Sequence, residues 1–451
     1  MEVAKAGMPM GRRKGWQVRG LMRRGFRSLL FTPGKRRLTG WAMAAVFVSG
    51  LIGLGLLVVA PWGCSSTGRG TAFSTLESRM IRVRLLAGVD QVSFTASMPP
   101  LYYSSADPTQ RYLNLPTGTA VPVYLSASGW ICGRARLGQG QLVFRPARVG
   151  SLAVDGKTYR GQYRLVPQGG NRFDVINDVE LDDYLKGVVG SELYPDWQPA
   201  AYRAQAIVAR TYALYEKQTA PERHWDVWGD ERSQAYRGLG GENPKSVAAV
   251  EATRGIVVVY GPAGDEHIFK AFFASCCGGV TQNVTDAFPN EAYVPVLSAQ
   301  VVGGVCNISN RFNWGPVIIS REELTRRIRQ WSVAHGRGEI GLIQSVVIEK
   351  RNAGGRPTLF GVVDVRGRKY LLNCEDFRVA ANTGARGIEF YSSYVENIIN
   401  DSDRIRFVGG HGFGHGVGMC QWCAEARARM GISAEDIVRY SYPGAKLVRA
   451  Y

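Results

Sequence analysis

The stretch from 178 to 193, Asp-Val-Glu-Leu-Asp-Asp-Tyr-Leu-Lys-Gly-Val-Val-Gly-Ser-Glu-Leu, constrains this chain more than any other. Wound at 3.6 residues per turn, it gathers Leu181, Tyr184, Leu185 and Val188 into one apolar stripe. Continued winding brings Glu192 to about 20° from Leu181, in the middle of that stripe, while Asp182, Asp183 and Lys186 fall on other faces. An ionised carboxylate on an apolar helix face loses its hydration, so its charged form is disfavoured. The pKa of Glu192 is then expected to rise towards the range in which a carboxylic acid donates a proton near neutral pH. The alternative is a helix-end glutamate that reaches water past Leu193 and Pro195.

The charge is concentrated at one end. Residues 1–40 hold eleven Lys/Arg against Glu2 alone, which is more than half of the net +18. No stacking aromatics or recognisable motif accompany this basic block, so it does not read as a nucleic-acid footprint. Trp41 to Ala60 follows as twenty residues without a charge, enough to span a bilayer. The positive-inside rule then puts the C-terminal bulk outside the cytoplasm, in the cell envelope at the inner membrane. The segment reads either as a signal-anchor or as a lipoprotein signal ending at Cys64. The expected divisions are a basic region 1–40, a membrane segment 41–64, a linker 65–79 and a domain 80–451. Within the domain, 80–176 is strand-rich and 177–451 carries the chemistry.

The expected class is α+β. Alternation marks strands near 81–85, 91–95, 120–125, 141–144 and 172–176. A second helix is expected over 200–218, with Pro199 at its first position. Further helices are expected near 246–253, 321–332, 375–381 and 421–430, and strands near 255–260, 269–275, 343–350 and 359–365. A glycine-rich strand or loop precedes the last helix, and a short tail closes the chain.

That glycine-rich stretch has glycine at every second position from Gly410 to Gly418. If extended, it has one bare face, open to another backbone or to a flat ligand such as a sugar chain, and one face with His411, Phe413, His415, Val417 and Met419. His415 and Gln421 are candidates for hydrogen bonds there. Eight cysteines are too few for a disulfide scaffold at this length. His411, His415, Cys420 and Cys423 have metal-like spacing, but the glycine pattern accounts for the first half, and the sequence is read as holding no metal and no cofactor. Cys277 and Cys306 are either a disulfide or free buried thiols.

Several short stretches in one order resemble the SpoIID/LytB domain family of bacterial cell-wall proteins. They are the 181–192 segment, Arg203-Ala204-Gln205-Ala206, Ala209-Arg210-Thr211-Tyr212, Gln234-Ala235-Tyr236-Arg237-Gly238, Gly278-Gly279, Trp314, Phe377-Arg378 and the 414–421 segment. The resemblance implies a peptidoglycan lytic transglycosylase with Glu192 as catalytic acid and then base. It implies glycan strands as the substrate and other wall hydrolases as partners. Gln205, Arg210, Tyr212, Ser275, Arg378, His415 and Gln421 are the candidate substrate-binding residues. Gln205 and Arg210 equally suit a buried amide and a salt-bridge arginine. The chain departs from the family at Arg232 and Ser233, where some members carry zinc ligands, and at Ala274, Cys276, Cys277, His411 and Cys423. Two rival functions stand beside the enzyme: a non-catalytic wall-binding module that stimulates an amidase, and a zinc hydrolase built on the His/Cys residues.

Overall fold

The computed structural model describes residues 79–451. The basic region and the apolar Trp41–Ala60 segment lie outside the described residues, as does most of the expected linker. Among the described residues no helix is long and apolar enough to cross a membrane. The fold mixes eight α-helices with six sheets in that region.

The strand-rich part is two antiparallel layers. One sheet runs Val227–Trp228, Met80–Val89, Phe173–Glu180, Gln162–Pro167, Leu142–Arg145, Leu101–Ser104, Arg111–Tyr112, with only its first pairing parallel. The other centres on Gln91–Ala96 paired with Ala120–Ser126. Phe94, Phe144, Trp130, Tyr163 and Phe173 interlock between them, with ring centroids 4.7–5.5 Å apart. The Phe173–Glu180 strand is buried almost throughout, although it carries three buried polar side chains. Each has a partner, as burial demands: Asp174 binds Arg84 and His224, Asn177 binds Tyr236, and Asp178 binds Arg164.

This strand runs straight into helix α1, Leu181–Glu192. Residues 178–180 thus finish a strand rather than begin the expected helix. The switch is made by Glu180, whose carboxylate caps the backbone N–H groups of Asp182 and Asp183. Leu181, Tyr184, Leu185 and Val188 are buried as the periodicity requires. Pro195 and Pro199 bracket the turn into α2, Pro199–Thr219, which packs on α1 and on α3, Pro244–Ala252.

Arg210 of α2 is a correction to the sequence reading. It is fully buried, and its guanidinium donates to Asp182, to the Tyr451 hydroxyl and to the carbonyls of Val250 and Ile256. A buried cation needs such partners, so Arg210 ties three helices and the chain end together instead of meeting a ligand. Asp182, placed by its helical angle away from the apolar stripe, is buried for the same reason.

The C-terminal end also differs from expectation. The short tail is a further helix, Ala434–Ser441, and a strand, Lys446–Arg449, that pairs with Ile256–Tyr260. The strand expected over 269–275 shortens to Phe273–Ala274, which pairs in parallel with Met419–Cys420.

Two glycines inside α1 weaken the helix by about 1 kcal/mol each relative to alanine. They allow the 236–241 loop to lie on the helix backbone. A Cβ on Gly190 would stand 2.0 Å from the Gly241 carbonyl oxygen, and one on Gly187 would stand 2.9 Å from that of Gly238. Steric exclusion outweighs propensity here. Gly190→Ala is expected to lower the urea midpoint of unfolding despite the better helix former; a raised midpoint would contradict this packing.

Candidate active site

Glu192 is the last residue of α1 and faces a cleft of about 740 Å³. Two donors from distant segments hold its carboxyl. The Ala235 N–H donates to Oε1 at 2.8 Å, and the Gln421 amide donates to Oε2 at 3.2 Å. The first reaches it through a chain of contacts on the apolar face of α1. The Tyr184 hydroxyl donates to Gln234, whose amide donates in turn to the Ala209 carbonyl, and this sets the loop that carries Ala235. Burial raises the Glu192 pKa above its ordinary 4.5; the two hydrogen bonds oppose the rise, and the nearby Glu231 charge adds to it.

Tyr212, Ser275, Arg378, His415 and Gln421 line the same cleft, so five of the seven expected binding residues converge on Glu192. Gln205 does not. It is fully buried in α2, and its amide is not part of the cleft wall. With Arg210 already assigned to the helix clamp, α2 contributes to the cleft through Tyr212, whose hydroxyl burial pushes up to about 12.

His415 stands edge-on between Phe272 and Phe288, at 5.7 and 5.3 Å, and its Nδ1 accepts the Val417 N–H. Burial pushes its pKa down to about 4, so it is a neutral imidazole at physiological pH. Arg378 is held by Glu375 at 2.8 Å. Burial works against the charge of Glu375, but this ion pair keeps its carboxyl below the ordinary value. Lys270 bridges Glu216 and Glu291 at 3.0 and 2.7 Å beneath the Tyr212 and Phe272 rings.

Sequence reasoning missed Glu231, Lys270, Phe272, Phe288 and Glu375. One signal was legible: Glu375 lies one helical turn before Arg378. The others come from turns and loops with no periodicity to read.

The alternating glycines have a different basis from the one expected. The strand Arg404–His411 ends where the pattern begins, and Gly412, Gly414, Gly416 and Gly418 all take positive φ, so the segment is not extended. A Cβ on Gly418 would stand 2.0 Å from the Phe272 carbonyl oxygen, and one on Gly416 would stand 2.3 Å from the Arg356 guanidinium. At these two positions the bare side meets the protein's own backbone and a buried arginine rather than a ligand. The crinkled path turns His415 into the cleft and delivers Gln421 to Glu192.

Residues 169–260, which contain α1, α2, α3 and Ala235, match the family model SpoIID, Stage II sporulation protein. An uncharacterized protein of Brachyspira hyodysenteriae is 29% identical over 300 residues, covering 66% of this chain and 74% of that protein. The Stage II sporulation protein D of Bacillus amyloliquefaciens is 25% identical over 302 residues, covering 61% and 76%. The amidase enhancer of Bacillus subtilis is 24% identical over 335 residues, covering 66% of this chain but 45% of its own length. The matched segment holds Glu192 and the loop that fixes it, and relatives named Stage II sporulation protein D align well beyond it: residues 169–260 are a segment of the SpoIID family.

Proposed function

We propose that the chain is a peptidoglycan lytic transglycosylase of the cell envelope, with Glu192 as its single acid and base. The observation that carries this reading is one carboxyl with a raised pKa, fixed by two donors at the wall of a cleft of sugar-binding size. Ring faces from Tyr212, Phe272 and Phe288 provide apolar surface for pyranose rings, and the Lys270 and Arg378 cations suit the lactyl and peptide carboxylates of a muramic acid strand.

The chemistry needs no second catalytic carboxylate. Protonated Glu192 gives its proton to the glycosidic oxygen as the C1–O bond of N-acetylmuramic acid breaks. The C6 hydroxyl of the same sugar then attacks C1, and the Glu192 carboxylate accepts its proton. The acid is regenerated, no water is consumed, and the product ends in 1,6-anhydro-muramic acid. A hydrolase would pair Glu192 with a second carboxylate. Glu375, Glu291 and Asp376 are each tied to a cation, which leaves Glu231 as the competing candidate. Residues 41–64 supply the proposed membrane attachment, with 80–451 outside the cytoplasm.

The amidase-enhancer relative supports a second reading, in which the cleft binds glycan without cutting it and stimulates an amidase. Digestion of purified glycan strands separates the readings. The full chain is expected to release anhydro-muramic ends, and Glu192→Gln to lower that rate by at least about 10³-fold while still binding strands. Reducing ends would make it a hydrolase; binding without cleavage by either protein would leave the amidase reading.

The pH dependence of kcat/KM carries a sign. Activity requires protonated Glu192, so it falls on the alkaline limb as pH passes the raised pKa. Glu231→Gln removes a nearby negative charge and is expected to move that limb to lower pH. Gln421→Met removes a donor that favours the carboxylate and is expected to move it to higher pH. Shifts of the same sign in both variants, measured from initial rates across pH, would contradict the assignment.

A further inference from the structure

Five cysteines from three separate segments meet in one buried cluster: Cys276 and Cys277, Cys306, and Cys420 and Cys423. The sulfurs of Cys277, Cys306, Cys420 and Cys423 all lie within 4.8 Å of one another. Cys277 Sγ is 3.6 Å from that of Cys306 and 3.8 Å from that of Cys423. Four thiolates around one zinc ion, each at about 2.3 Å in tetrahedral array, stand about 3.8 Å apart. A disulfide would bring two of them to about 2.05 Å. The spacing fits a shared central ion.

Local backbone geometry agrees. Cys420 caps the Gln421–Arg429 helix, and its sulfur accepts the N–H groups of both Cys423 and Cys277 at 3.3 Å. Backbone donors aimed at one sulfur suit a thiolate better than a thiol, and such outer bonds orient metal ligands. Phe312, Phe413 and Trp422 pack around the cluster and exclude water. A tetrathiolate zinc centre carries a net charge of −2, which favours a nearby cation. Arg356 is fully buried and donates to the carbonyls of Cys277, Val280, Gly414 and His415, with no carboxylate ion pair among the described residues. The histidines are engaged elsewhere: His411 with Asn313 and Glu396, His415 with Val417 and two phenyl rings.

We propose that Cys277, Cys306, Cys420 and Cys423 bind one zinc ion in a closed structural site. Four thiolates complete the tetrahedron and Cys276, the fifth cysteine of the cluster, lies outside the mutually close set, so the ion has no open position and does no chemistry of its own. It joins the loop after Phe273–Ala274, the 303–306 turn and the start of the last cleft helix. On the reading of Glu192 as the acid, it also fixes Gln421, which directly follows Cys420.

The test is the metal content of the full chain, purified in detergent without chelator. Mass spectrometry is expected to find about one zinc per chain. Exchange with cobalt(II) is expected to give the intense visible bands of a tetrahedral thiolate site, a readout independent of wall cleavage. Cys306→Ser and Cys423→Ser are expected to fall below about a tenth of that content, whereas Cys276→Ser keeps it. If the serine variants fail to fold, the wild-type zinc and cobalt readings still decide. Metal-free wild-type protein with a Cys277–Cys306 disulfide would overturn the proposal. Iron as the resident ion, or loss of zinc in Cys276→Ser as complete as in Cys306→Ser, would overturn it too.

Discussion

A carboxyl group withdrawn from water must be held by donors that do not force it to ionise, and much of this structure serves that requirement at Glu192. The Ala235 N–H and the Gln421 amide fix its two oxygens without adding a formal charge beside it. A lysine or arginine in either place would favour the carboxylate and lower the pKa, since an opposite charge within a few ångströms shifts it by one to three units. The cations of the cleft are instead neutralised elsewhere, Lys270 by Glu216 and Glu291, and Arg378 by Glu375. The electrostatic pattern is thus a carboxyl of raised pKa beside paired charges.

Delivering those two donors explains otherwise costly features. Glycines in the middle of α1 sacrifice helix propensity so that the 236–241 loop can lie against it. The left-handed glycines of 412–418 fold that segment against Phe272 and Arg356, which brings Gln421 over Glu192. The cysteine cluster secures this second arm from behind, and the Arg210–Asp182–Tyr451 clamp secures the helices of the first. Local propensity is given up along the two segments that deliver donors to Glu192, and strain and close approach commonly mark function.

The placement of Glu192 on the apolar face was legible because helical periodicity is strong in α1 and needs no tertiary information. Four of the cleft residues, Tyr212, Arg378, His415 and Gln421, were legible through short motifs whose order resembles the family. Two assignments from the same motifs fell differently: α2 turns Arg210 and Gln205 inward, and helix spacing alone does not say which neighbour a buried face meets. The glycine alternation suggested a strand because period two is the strand signature; positive φ at successive glycines breaks that inference and leaves no trace in the residue pattern. The sulfur cluster was only half visible. Cys420 and Cys423 have a recognisable spacing, but Cys277 and Cys306 arrive from loops far away in the chain, and the nearby histidines were the wrong companions. Glu231 and Lys270 meet the cleft through tertiary placement alone.

The central claim is that burial raises the proton affinity of one side chain. It is tested most directly by titrating the Glu192 carboxyl with carbon-13 NMR in glutamate-labelled protein, assigning the signal by its loss in Glu192→Gln. The account predicts a midpoint above the ordinary glutamate value of 4.5. A midpoint at or below that value would mean that the side chain is solvated and ionised, and the account would be wrong.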